Sequence, residues 1–381
     1  MSNLEQIREE IDKVDGQLTA LLRRRLVLSR AVAETKQADG SPIYRPDREE
    51  SILSEAEKCV PEAPLLSRSF FQNLMRIIRV QQYQLLADAG RRPACLAELS
   101  APAPCRRLAH SGDKFSWSYS AASALVPDAE LISAATFAAV FEAVNSGAAD
   151  AGVVPLENST AGNITDVYDL LIDYGLRVTR STVLDIAYVL AAPQGSALSD
   201  IHTVYSHPQA LAQCAGYLRE HSMRPEPFSN TAGSAYYVAE SGRAGVAALC
   251  PRAAAEAAGL AILDAGIRDN AENSTRFIYV EWGLSAPQRH GIVSVAFSLP
   301  HRSGTLASVT SLFADLGINL AKIAARPILT RAWEYFFYLD FEGGFSDIRT
   351  LTVLLFLESE LPYFKLLGGY EKSTHKEDIP S

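Results

Sequence analysis

Val153-Val154-Pro155-Leu156-Glu157-Asn158-Ser159-Thr160-Ala161-Gly162 is an apolar run that stops abruptly at polar side chains. The residues after it carry Ile164, Val167, Tyr168 and Leu171 at helical spacing, so the sequence predicts a strand handing over to a helix over 163–172. Asn158, Ser159 and Thr160 would then stand at a helix N-terminus, where free backbone N–H groups and the helix dipole favour a carboxylate or phosphate. A plain N-cap role for Ser159 or Thr160 is the alternative. Two later stretches repeat the arrangement. In Thr203-Val204-Tyr205-Ser206-His207-Pro208 a short apolar strand ends in polar residues, with Pro208 suited to a first helical turn, and Asn273, Thr275 and Arg276 immediately precede a strand over 277–282. Three strand ends bearing amides, hydroxyls and a guanidinium suit a small polar anion held in the cleft of an open α/β sheet.

Working outward, 381 residues are enough for two to four domains, and 48% hydrophobic with 21% charged residues is ordinary for a globular chain. A net charge of −9 argues against nucleic acid as a partner, because neutralising phosphates needs basic surface. The five cysteines, Cys59, Cys95, Cys105, Cys214 and Cys250, are scattered without Cys-x-x-Cys spacing and read as reduced thiols, with no metal framework. The N-terminus is charged and amphipathic, unlike a signal peptide, and no apolar run approaches a membrane span, so a cytoplasmic location without membrane contact is expected.

From Leu4 the apolar residues fall at 4, 7, 11, 14, 18, 21, 28 and 32, predicting one long helix to about Gln37 that needs a partner helix along its length. Arg25 breaks this seam, so a guanidinium is expected inward among leucines, balanced by an ion pair, relieved at a bend, or held for a bound anion. Arg8 lies roughly 25 Å from Arg25 along one helix and Lys36 roughly 16 Å, so Lys36 can converge with Arg25 on one ligand whereas Arg8 would have to come from a second subunit. A loop follows, then a helix opening at Asp47-Arg48-Glu49, then a third helix over about 65–86 in which Gln82 interrupts an apolar face, either as a solvated edge residue or as a site residue. Residues 89–105, rich in Ala, Pro and Gly, read as a linker. An α/β region with two lobes follows over 106–284, the second lobe at about 187–258. A joint over 285–291 leads to a βαββαβ pattern, with strands at 292–299, 318–326, 333–340 and near 363–367 and helices at 305–316 and 346–359. That order is ferredoxin-like, and by its pattern alone it is a dimerisation sandwich.

Residues in all three regions carry a resemblance. Val-Val-Pro-Leu-Glu-Asn-Ser at 153–159, Tyr-Ser-His-Pro-Gln at 205–209 with Gln213 after it, and Asn-Ser-Thr-Arg-Phe at 273–277 resemble the signature blocks of prephenate dehydratases in order and spacing. Arg8, Arg25, Lys36, Arg48, Glu49 and Gln82 resemble the all-helical chorismate mutase pattern, and Gly304-Thr305-Leu306-Ala307 with Arg326-Pro327 resembles the ACT domain. The whole chain is similar to the bifunctional chorismate mutase/prephenate dehydratase family of bacterial phenylalanine biosynthesis. That resemblance implies a helical mutase domain (1–88), a two-lobed, periplasmic-binding-protein-like α/β dehydratase domain (106–284), an α+β ferredoxin-like ACT domain (290–371) and a tail (372–381). It also implies that the arginines clamp the two carboxylates of chorismate, that Lys36 and Gln82 hydrogen-bond its ether oxygen, and that Glu49 holds its ring hydroxyl.

In the dehydratase the resemblance makes Thr275 the acid, with Asn158, Ser206 and Gln213 orienting prephenate and Glu157, Ser159 and Phe277 in the same substrate-binding blocks; Arg276 is either a carboxylate clamp or an internal strut. Gly304, Leu306, Asn319, Arg326 and Pro327 would form a phenylalanine site between paired ACT domains. No cofactor or metal is implied, and a homodimer or higher homo-oligomer is. The sequence departs from the family at Arg45, where Asp is usual, at Ile78, where a serine is common, and at Ala324-Ala325, which replace Glu-Ser. In Ser111-Gly112-Asp113-Lys114-Phe115-Ser116-Trp117-Ser118, Asp113 stands for a proline and Phe115 for a glycine, which leads us to expect a changed loop. Two other readings fit the pattern: a dehydratase whose helices only dimerise, and a non-catalytic amino-acid sensor.

Overall fold

The computed structural model describes residues 3–97, 99, 104–270, 272–284, 291–327 and 335–371. Three helices come first: α1 (Asn3–Asp39), α2 (Pro46–Cys59) and α3 (Pro64–Asp88). Pro46 and Pro64 open their helices, where the missing N–H costs nothing. The seam of α1 is not covered within the chain: Leu4, Ile7, Ile11, Val14, Leu18 and Leu21 keep between 46% and 63% of their surface exposed. α1 packs against α3, and its buried residues are Ser29 and Ala33.

The next strands and helices are β1 (Arg107–Ser111), α4 (Trp117–Leu125), β2 (Glu130–Ala134), α5 (Phe137–Asn145), β3 (Ala151–Asn158), β4 (Gly162–Asn163), α6 (Thr165–Tyr174), β5 (Arg177–Asp185), β6 (Tyr188–Ala192), β7 (Thr203–Ser206), α7 (Pro208–Gln213), α8 (Ala215–Glu220), β8 (Arg224–Pro227), α9 (Thr231–Ser241), β9 (Val246–Cys250), α10 (Arg252–Ala257), β10 (Ala261–Ile267) and β11 (Ser274–Glu281). They build two lobes. The first has strand order β5-β11-β3-β1-β2, with β1, β2 and β3 parallel and β11 antiparallel to β3; the second has order β10-β6-β9-β7-β8. Leu108, Val153, Leu184, Phe277 and Tyr279 from the first lobe pack with Leu190, Val204 and Leu249 from the second in one buried cluster.

One expectation about the opening stretch is corrected. The chain after Asn158 does not enter a helix; it turns back, and β4 pairs with β3 (Glu157 opposite Asn163, Asn158 opposite Gly162) before α6 begins at Thr165. The physical reason is turn chemistry. The Asn158 carboxamide oxygen accepts from the backbone N–H groups of Thr160 and Ala161, closing the turn locally, and Gly162 takes a φ of 83°. Neither Ser159 nor Thr160 is an N-cap: that position belongs to Ile164, which makes no side-chain cap.

The remaining elements are β12 (Gly291–Ser298), α11 (Thr305–Asp315), β13 (Leu320–Pro327), β14 (Tyr335–Gly343), α12 (Ile348–Glu360) and β15 (Tyr363–Tyr370), with strand order β13-β14-β12-β15. This is the expected βαββαβ order. The proposed strand start at Trp333, the joint over 285–290, linker residues 98 and 100–103, and the tail over 372–381 lie outside the described residues. The chain divides into two compact units, residues 1–97 with 295–366, and 98–294 with 367–381. In the first unit α3 packs against both α11 and α12, with Arg76 paired to Asp315.

Candidate active sites

Register sets the dehydratase-like site. In the β3–β11 pair Thr275 faces Asn158 and Arg276 faces Glu157, but Phe277 faces Pro155, so Leu156 is the extra residue of a bulge. A proline inside a strand is tolerated at such a bulge because it has no ladder N–H to give. Beyond the bulge the two polar strand ends come together. The Asn158 nitrogen lies 2.9 Å from Thr275 Oγ1, 2.9 Å from Asn273 Oδ1 and 3.0 Å from the Ser274 carbonyl. Which end of this amide is nitrogen follows from its partners: the N–H groups of Thr160 and Ala161, at 3.0 and 2.8 Å, can only meet an oxygen. Asn158 therefore donates to Thr275, leaving the threonine's own proton uncommitted to it.

Thr160 and Gln213 extend the network. The Thr160 hydroxyl donates to Asn158 Oδ1 at 2.7 Å and accepts from Gln213 Nε2 at 3.1 Å, and Gln213 Oε1 accepts from Asn273 and from the Tyr188 hydroxyl. Asn158, Asn273 and Thr275 are all buried. The structure thus brings together Asn158, Gln213 and Thr275 from three distant stretches. Other expected residues lie elsewhere. Ser159 ties the backbone at Glu272 and Ser274, Phe277 is core, and Ser206 is fully buried with its hydroxyl donating to the Leu249 carbonyl at 2.5 Å. Arg276 forms an ion pair with Glu157 at 2.6 Å and donates to the Tyr370 hydroxyl at 3.1 Å, the geometry of a strut. Tyr188 was missed by sequence reasoning; it opens β6 with no motif around it.

The loop with the two substitutions also has a definite shape. Phe115 takes a φ of 66°, the left-handed region that glycine occupies freely, so the phenylalanine bears a conformation suited to glycine. Its ring sits 5.5 Å from that of Tyr119 and packs against the second-lobe core. Asp113 accepts a 2.8 Å hydrogen bond from Asn230, the N-cap of α9, so the loop spans from one lobe to the other.

In the helical region Arg25, Ser29, Ala33 and Lys36 share one face of α1, at i, i+4, i+8 and i+11. Gln82 meets that face from α3. It is buried, not a solvated edge, and donates to Ser29 Oγ at 3.1 Å. Arg25 is exposed within this chain, which corrects the expectation of an inward guanidinium: the leucines around it, Leu18, Leu21, Leu22 and Leu28, line with Phe71 and Leu74 an open groove of about 1020 Å³. Lys36 donates to the Ile43 carbonyl at 2.7 Å; burial and then the neighbouring Arg45 lower its pKa. Arg8 and Arg48 are exposed, and Glu49 is held by Arg79. Arg79 was overlooked, although it interrupts the buried face of α3 just as Gln82 does.

In the C-terminal region Gly304 is the N-cap of α11 with a φ of 82°. Leu306 helps to line a pocket of about 80 Å³ with Pro300, Arg302 and Tyr335. The exposed Asn319 accepts from the Glu342 N–H through its carbonyl, and Arg326 and Pro327 end β13.

Comparison with known proteins agrees with this division. Family models match for chorismate mutase type II over residues 7–83, prephenate dehydratase over 108–282 and the ACT domain over 293–355. A bifunctional chorismate mutase/prephenate dehydratase from Neisseria gonorrhoeae is 31% identical over 371 residues, covering 95% of each chain. The chain belongs to the bifunctional chorismate mutase/prephenate dehydratase family. A second member, from Aquifex aeolicus, is 29% identical over 99% of this chain and 100% of its own. Among solved structures, a prephenate dehydratase from Arthrobacter aurescens in complex with L-Phe aligns with a TM-score of 0.65 and 33% identity, over 70% of this chain and 90% of that one. The family's helical, two-lobed and ACT parts thus correspond to α1–α3, β1–β11 and β12–β15.

Proposed function

We propose that this chain performs both reactions of its family, rearranging chorismate to prephenate on the helices and converting prephenate to phenylpyruvate in the two-lobed domain. The first reaction has a cyclic transition state and needs no nucleophile, so the helical site has to fold the substrate and stabilise charge on the ether oxygen. Arg25 and Lys36 on one face, with Gln82 between α1 and α3, supply cations and an amide for that. Arg8 is too far along α1 to join them in one chain. A second copy laid against the exposed seam would bring its own Arg8 to the site while burying the leucines, each worth about 1.5–3 kcal/mol when fully covered. A homodimer is therefore part of the reading.

In the second reaction the electrons of the bond to the departing carboxylate enter the ring as carbon dioxide leaves. The ring hydroxyl leaves with a proton as water. The observation that carries the assignment is the Asn158 amide donating into Thr275 Oγ1 at 2.9 Å, which turns the threonine proton outward to the leaving hydroxyl. Glu157 neutralises Arg276, so Arg276 acts as a strut that fixes the strand end beside Thr275. The test is Thr275→Val assayed on added prephenate, with circular dichroism as the check on folding. Phenylpyruvate formation should be abolished with the spectrum unchanged; turnover within a few-fold of the parent would give the acid to another residue.

Phenylalanine as a feedback effector completes the reading. The pocket beside Gly304 and Leu306 is far below the ~300 Å³ at which ligand pockets begin, so one ACT domain alone does not enclose an amino acid and two paired domains would. Ala324-Ala325 remove polar contacts that the family motif provides, so binding weaker than in relatives with Glu-Ser is expected. Nothing in either reaction calls for a cofactor. No helix among the described residues is long and apolar enough to cross a membrane.

A further inference from the structure

Arg79 lies on the face of α3 that carries Met75, Ile78 and Gln82, and it is nearly inaccessible to solvent. Its Nη1 stands 2.5 and 2.6 Å from the two carboxylate oxygens of Glu49, in the first turn of α2. Its Nε donates at 2.8 Å to Glu360, the last residue of α12 in the ACT domain. The rings of Tyr44 and Phe356 lie 5.0 and 5.7 Å from the guanidinium carbon. One cation is thus fixed by two carboxylates from different domains and by two aromatic faces. Burial pushes the Glu360 carboxyl up to about 7, with Arg79 opposing the shift, so this carboxylate is held at a cost. A buried ion triad stabilises packing no better than apolar side chains of the same volume would. What it does supply is a defined position for each member.

Glu49 is the member with a role in substrate binding under the reading above. Both of its oxygens meet the same nitrogen, which leaves lone pairs on each for a further donor. We propose that Arg79 and, behind it, Glu360 are positioning residues of the mutase site, holding the Glu49 carboxylate where the ring hydroxyl of chorismate meets it. The ACT domain is then a structural part of the mutase site, independently of any effector. This proposal rests on the assignment of Glu49 to the substrate hydroxyl. A hydrogen bond to a hydroxyl that does not react is made equally in the ground and transition states, so loosening Glu49 should appear in KM and not in kcat.

The experiment measures both activities of the full chain in Glu49→Gln, Arg79→Met, Arg79→Lys and Glu360→Gln. Glu360→Gln keeps shape and removes the charge; it should raise the KM for chorismate ~3- to 10-fold, the scale of one hydrogen bond, with kcat within about two-fold. Arg79→Met should raise it further, and Arg79→Lys should recover part of that loss. The dehydratase constants on prephenate should be those of the parent in all four. A parental KM in Glu360→Gln and Arg79→Met, beside a raised KM in Glu49→Gln, would overturn the positioning role and leave Glu49 in place. A parental KM in Glu49→Gln would remove the assignment underneath it, and the proposal with it. Loss of both activities together with lower thermal stability would reduce the triad to a packing element.

Discussion

Replacing Asn158 by Asp changes one NH2 group into an oxygen and leaves the volume alone, yet the geometry around it predicts a large effect. The nitrogen faces three acceptors, Asn273 Oδ1, the Ser274 carbonyl and Thr275 Oγ1, at 2.9, 3.0 and 2.9 Å, in a site where Asn158 is 7% exposed. Two N–H donors disappear, worth about 1 kcal/mol each, and at least one buried acceptor is left unmet at about 1–3 kcal/mol, a total of about 3–5 kcal/mol. The opposite end of the group is unaffected, because Thr160 and Ala161 donate to an oxygen in either residue.

Catalysis suffers separately. Thr275 would donate its proton to the new carboxylate and no longer to the leaving hydroxyl. Loss of the general acid should lower dehydratase kcat ~100-fold or more. Urea unfolding and turnover of added prephenate, both at pH 7, check the two effects, and mutase activity serves as the internal control. Both should recover as pH falls through the pKa of the new carboxyl, since its protonated form restores one donor. A variant with parental stability, or with kcat within about five-fold of the parent, would refute the assigned direction of this hydrogen bond and with it the exposed threonine proton.

Two further outcomes follow from backbone geometry. Phe115→Ala and Phe115→Gly remove the same ring, but only glycine is free at a φ of 66°, so the alanine variant should be less stable than the glycine variant by about 1 kcal/mol in urea unfolding; equal stability would mean that the turn is unstrained. Gly304→Val places a β-branched residue at a φ of 82°, distorting the first turn of α11. Calorimetry should then show phenylalanine binding to the parent and none to the variant, and equal binding by both would put the effector site elsewhere.

Much of the architecture was legible because it rests on local period. The long α1, the two helices after it and the βαββαβ order all follow from side-chain spacing and turn residues, although the positions of Pro46 and Pro64 at the first turns of α2 and α3 emerge only in the structure. Asn158 was legible as a polar residue halting an apolar run and Thr275 as one leading into a strand, although nothing local indicated that antiparallel register would set one opposite the other. The helix expected over 163–172 is present as α6, but Asn158, Ser159 and Thr160 do not stand at its N-terminus, because the Asn158 side chain satisfies two backbone donors in a turn and the hairpin closed by Gly162 comes first. Arg25 and the seam beside it are exposed within this chain, because side-chain spacing marks an apolar face without saying what lies against it. The Arg79 junction joins positions 49, 79 and 360, and only tertiary packing brings these together. In the sequence Glu49 belongs to the mutase pattern and Arg79 interrupts an apolar helix face, but nothing local links either of them to Glu360.

The most direct test supplies chorismate to the full-length protein and to its Arg25→Ala variant, following prephenate and phenylpyruvate separately over time. The parent should form prephenate and then phenylpyruvate. The variant should form neither from chorismate, yet convert added prephenate at a rate within about two-fold of the parent, because Arg25 lies on α1 while Asn158 and Thr275 lie in the other compact unit. Prephenate production by the variant at the parental rate, or loss of both activities together, would contradict the account of two separate sites on one chain.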